Sequence, residues 1–114
     1  RPCMQLISPP KILPATTLSL ACYSHMFYNC GSLIASPELP ASTLIDDCYI
    51  GMFGYCEKLN YIKCNAVDNI KNTTVGNWTA GINTNGTLVC KQVDGGKNPL
   101  EEYIPSTWTV EYLN

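Results

Sequence analysis

The chain has 114 residues, the length of one domain with a core of its own. Only 14 % of its residues are charged, and seven lysines and arginines against nine acids leave a net charge of −2. Without a cluster of Lys or Arg this balance argues against nucleic acid and against an anionic membrane surface, and no apolar run approaches the roughly 20 residues that span a bilayer.

Residues 1–14 contain Pro2, Pro9, Pro10 and Pro14, a density that forbids helix and central strand. They read as an extended arm, with Cys3 tying it to a core over 15–114. No leader opens the chain, so Arg1-Pro2-Cys3 is expected to be a processed end. Residues 16–23 alternate, with Thr16, Leu18, Leu20 and Cys22 facing one way, and predict a half-buried strand. Gly31, Pro37 and Pro40 mark 31–40 as a loop. Leu44, Ile45, Cys48, Tyr49, Met52, Phe53 and Cys56 then step by one and three, which predicts one main helix over about residues 43–58. Thr43 and Asp46 suit its start and Lys58 its end. Gly51 and Gly54 lie off the stripe and weaken this helix by about 1 kcal/mol each. Residues 61–67 form a candidate strand carrying Cys64. Trp78, Ala80 and Ile82 alternate ahead of Asn85-Gly86, which predicts a hairpin over 77–93 with that dipeptide at its tip. Gly95, Gly96 and Pro99 mark a loop, and Trp108, Val110 and Tyr112 share one face of a last strand. No internal repeat is convincing: Cys22/Cys30, Cys48/Cys56 and Cys56/Cys64 share a spacing of eight, but their flanks do not match. The expected fold is α+β, a small disulfide-stapled single domain with a mostly antiparallel sheet of about four or five strands and one main helix.

Cysteine usage sets the expected compartment. Cys3, Cys22, Cys30, Cys48, Cys56, Cys64 and Cys90 are scattered, with no Cys-x-x-Cys pair and only one His, a poor pattern for zinc. Seven cysteines in so short a chain predict disulfides, one thiol being left over, with Cys3 the expected odd one. Asn72, Asn77 and Asn85 each open an Asn-x-Thr sequon and are N-glycosylation candidates. Together these features predict a secreted, extracellular protein.

Little in the chain points to catalysis. His25 is followed by Met26, not by the Asp that a secreted phospholipase would place there, and reads as a surface or strand-end histidine. Asp46-Asp47 and Glu101-Glu102 are adjacent pairs whose side chains diverge on either helix or strand, so neither makes a carboxylate dyad. No phosphate loop or nucleophile elbow is present, and no catalytic, cofactor or metal residue is assigned. The layout of a small Cys-rich domain with one helix on a sheet is similar to that of secreted fungal effectors and virally encoded killer toxins, without a motif that identifies either. Seven tyrosines suit a recognition surface, and Tyr55 and Tyr61, flanking the predicted helix end, are the partner-binding candidates. The expected function is non-catalytic binding of a protein or cell-surface partner. The alternative is a structural subunit that binds copies of itself in a surface layer or filament.

Overall fold

The computed structural model describes residues 23–113. The polypeptide winds in stacked coils, and each coil contributes one short strand. β1 (Ala35–Leu39), β2 (Tyr61–Cys64), β3 (Thr87–Lys91) and β4 (Thr109–Leu113) lie side by side in chain order. Every neighbouring pair is parallel. Ala35 pairs with Tyr61, Tyr61 with Thr87 and Thr87 with Thr109, so successive coils are 26, 26 and 22 residues long. The expected antiparallel sheet is therefore corrected to a parallel one. Each return segment carries the chain back to the end where the last strand began, and the next strand must then run in the same direction.

A repeat drives this winding. Met26-Phe27-Tyr28-Asn29-Cys30-Gly31-Ser32-Leu33 and Met52-Phe53-Gly54-Tyr55-Cys56-Glu57-Lys58-Leu59 share Met, Phe, Cys and Leu at equal positions. The register between coils places these segments one above the other. Phe27 N donates to Met52 O (2.9 Å), and Asn29 N to Gly54 O (2.7 Å). Phe53 N and Tyr55 N then donate to Trp78 O (2.9 Å) and Ala80 O (2.6 Å) on the third coil. Equal positions stack in the core: Phe27 lies on Phe53 with centroids 5.8 Å apart and planes 2° off parallel, and Tyr23 lies on Tyr49 at 6.2 Å. The expectation that the chain holds no convincing repeat is thus corrected: the repeat has a period of 26, not the spacing of eight seen between cysteines.

The helix over 43–58 is also corrected. The stretch is a run of tight turns, closed by Cys48 N to Ile45 O, Met52 N to Tyr49 O and Cys56 N to Phe53 O. Leu44, Cys48, Met52 and Cys56 are all fully buried, and their spacing of four is the period of these turns, not the 3.6 of a helix. Left-handed backbone recurs every fourth residue, at Asp47 (φ 64°), Gly51 (62°) and Tyr55 (59°), which no α-helix tolerates. Instead of bonding along a helix, these N–H groups reach the next coil. The only α-helix among the described residues is one turn, Asn72–Val75.

The expected hairpin over 77–93 is absent. Residues 77–82 continue the turn pattern on the third coil, and residues from Thr87 onward form the interior strand β3 between two parallel neighbours. Trp78 and Ile82 are buried as a hairpin core would require, but in the turn layer, where Trp78 packs against Tyr49 and Phe53. The loop expected over 31–40 contains β1, whose register slips between Ala35 and Glu38. Pro37 cannot donate there, and across the slip the Lys63 N–H of β2 finds its acceptor in Ser36 Oγ (3.1 Å). The arm over 1–14 and nearly all of the strand expected over 16–23 lie outside the described residues.

No disulfide joins any two of the five described cysteines, Cys30, Cys48, Cys56, Cys64 and Cys90, and all five are buried. Cys3 and Cys22 lie outside the described residues. The disulfide framework is thereby corrected, and the inference from cysteine count to a secreted protein goes with it. Cys30 and Cys56 share one repeat position, and Cys64 and Cys90 share the inward position of adjacent strands, so all four are small side chains of the core. The third coil is fixed to the fourth by Asn98, whose amide donates to Ala66 O (2.9 Å) and Lys91 O (2.8 Å) and accepts from Leu100 N (2.8 Å). Asn98 opens a 3₁₀ helix over Pro99–Tyr103.

Candidate binding surfaces

Among the described residues, two surfaces bring aromatic and polar side chains together. The first is the outer face of the sheet. Ile62, Cys64, Leu88 and Cys90 point inward and are fully buried, so the residues alternating with them face out. One rung is Tyr61, Thr87 and Thr109, and another is Lys63, Val89 and Glu111. Tyr61 and Thr109 are exposed, and Lys63 reaches across to Glu38 on β1 (Nζ to Oε2, 3.6 Å). No helix packs across these rungs: among the described elements, substantial contacts run only from strand to strand.

The second surface is a cleft in the turn layer, about 290 Å³, lined by His25, Tyr28, Ile50, Gly51, Tyr55, Asn77 and Ala80. The repeat builds it. His25, Gly51 and Asn77 form one left-handed column, with φ of 56°, 62° and 53°. Asn29, Tyr55 and Gly81 form a second, with φ of 62°, 59° and 72°. Only glycine adopts this backbone at no cost, so the non-glycine residues store strain at the cleft. Each aromatic ring rests on the glycine one coil below. A Cβ on Gly51 would lie 2.5 Å from the His25 ring, one on Gly54 2.9 Å from Tyr28, and one on Gly81 2.5 Å from Tyr55. Tyr28 and Tyr55 meet edge to face, centroids 5.6 Å apart at 85°, and His25 stands 5.5 Å from Tyr28. His25 Nδ1 shares a hydrogen bond with Ser24 Oγ (2.9 Å).

The chain matches no protein-family model, no curated protein and no solved structure.

The two partner-binding candidates do not come together. Tyr55 stands in the cleft, 49 % exposed, and Tyr61 on the sheet face, 36 % exposed. The helix end that would have joined them does not exist. His25, dismissed from the sequence, and Tyr28, overlooked there, both line the cleft. The signal that finds them is the spacing of 26 between each ring and its glycine: His25 to Gly51, Tyr28 to Gly54, Tyr55 to Gly81. Asn72, Asn77 and Asn85 are all exposed, and their sequons are the remaining sequence ground for export. Tyr112 donates to Glu101 Oε2, which holds its hydroxyl proton up to about pH 12. Burial pushes the Cys64 thiol up to about 12 and Cys90 to about 11, so neither is a nucleophile at neutral pH. No helix among the described residues is long and apolar enough to cross a membrane.

Proposed function

We propose that the chain is a recognition module that holds a protein partner on the outer face of its parallel sheet. The observation that carries this reading is the in-register display of Tyr61–Thr87–Thr109 beside Lys63 and Glu111, with Val89 buried between those two in the same rung, on a face that no other described element crosses. Stacked coils give extended binding surfaces because every coil adds one strand at a fixed spacing. Tyr61 supplies an amphipathic anchor of the kind that concentrates binding energy, and the Lys63–Glu38 pair and Glu111 supply a polar surround of mixed sign. The net charge of −2 and the alternation of signs suit a protein and not a phosphate backbone.

The test is site-specific photo-crosslinking of the full chain in its native cell. A crosslinker at position 61 should trap a defined protein species, and Lys63→Glu should abolish the product. The same crosslinker in place of Lys58, on the turn side, should trap nothing. Equal capture at both positions would defeat the proposal. Capture of a second copy at position 61 would establish the structural-subunit alternative instead.

A further inference from the structure

We infer that the turn-layer cleft is a saccharide site that takes one pyranose ring, independently of the sheet face. The argument begins with how the rings are held. Tyr55 and Tyr28 lie against Gly81 and Gly54, whose missing side chains leave room for them. One face of each ring is seated on backbone, and the rings stay 49 % and 40 % exposed. A ring fixed in this way is a platform that loses little freedom when something stacks on it. The two planes stand at 85°, so they offer a corner, not a pair of parallel walls.

The polar groups around that corner are unspent. The amide of Asn77 and the hydroxyls of Tyr28 and Tyr55 make no hydrogen bond with any described residue, and His25 uses one ring nitrogen on Ser24. Ile50 and Ala80 complete an apolar floor. A ligand must therefore present a compact apolar face to aromatic rings and several hydroxyls to an amide, two phenols and an imidazole. A pyranose does both, through its C–H face and its equatorial hydroxyls. The volume of about 290 Å³ is at the small end of ligand pockets, which run from about 300 to 1,000 Å³, and suits one ring. A proline-rich peptide is disfavoured, because its extended helix needs successive rings aligned along a groove.

The experiment uses the full chain made in bacteria, so that Asn77 carries no glycan of its own. Methyl glycosides of glucose, galactose, mannose and N-acetylglucosamine are titrated to about 50 mM, enough to detect affinities of millimolar order, and read by amide NMR. At least one should shift the amides of Gly51, Tyr55, Asn77 and Ala80 saturably. Tyr55→Ala should weaken it by about tenfold, the size expected for loss of one stacking ring. Tyr61→Ala, on the sheet face, should leave it unchanged. Tyr55→Phe keeps the ring, so it should retain the stacking contribution and lose only the hydroxyl; its melting temperature shows that the coil is intact. No saturable shift with any of the four glycosides, or shifts confined to residues outside the cleft, would overturn the inference. So would saturable binding of a decaproline peptide at the same amides with no response to sugar.

Discussion

Gly81 and Gly95 both have left-handed backbone, with φ of 72° and 76°, yet they have different work to do. A Cβ on Gly81 would stand 2.5 Å from the Tyr55 ring, and one on Gly95 would meet nothing within 4 Å. Gly95→Ala should therefore cost only the backbone term, about 1 kcal/mol, while Gly81→Ala should cost roughly 2–4 kcal/mol because the ring must also move. Urea midpoints of the two variants check the difference, and equal losses would show that Tyr55 is not seated on Gly81. The buried thiols give a second expectation at this scale. Burial raises Cys64 from 9.0 to about 12, and burial, with the Glu101 charge adding to it, raises Cys90 to about 11. The folded state thus keeps protons that the unfolded chain releases. Their contribution to stability is complete below pH 9 and is lost as pH climbs from there to about 12. Urea midpoints should fall between about pH 9 and pH 12, and Cys64→Ala should show a shallower fall.

The element that most needs testing is the turn run over 45–56. A helix and a chain of four-residue turns place almost the same side chains inward, because over three turns periods of 3.6 and 4 drift apart by about 120°, close to the width of one apolar helix face. What separates them is the backbone. Asp47, Gly51 and Tyr55 are left-handed, and their N–H groups donate to Thr73, Gly76 and Ala80 on the next coil. The far-ultraviolet circular dichroism of the folded chain should accordingly lack a strong helical band at 222 nm, since the described α-helix is the single turn Asn72–Val75. A spectrum with the sixteen-residue helix expected over 43–58 would refute the coil architecture. Gly51 and Gly54 illustrate the same point: in a helix they are only weak positions, and in the coil they are where His25 and Tyr28 rest.

Across the whole molecule the coils contact mainly their neighbours, so stability should be graded along the stack. β2 and β3 are paired on both edges and carry fully buried Ile62, Cys64, Leu88 and Cys90, whereas β4 is paired on one edge and has no fully buried residue. Native-state hydrogen exchange should rank β3 amides slowest and those of Thr109–Leu113 markedly faster. Uniform exchange through the four strands would mean that the coils open as one unit.

Much of the core was legible in the sequence. The apolar positions of 44–56, the burial of Trp78 and Ile82, a strand at Tyr61–Cys64 and another near Trp108–Tyr112 all follow from local periodicity, because which side chains avoid water is a local property. The repeat was also present, in Met-Phe-x-x-Cys-x-x-Leu at 26 and again at 52, but at a distance beyond any local window. What only the tertiary structure decided is strand direction, that no disulfide joins the described cysteines to one another, and the two surfaces. Direction depends on the path of the chain between strands, and a cysteine's chemistry depends on what lies opposite it one coil away. The cleft arises because a ring on one coil needs a glycine on the next, a relation between residues that meet only after the chain has wound once around.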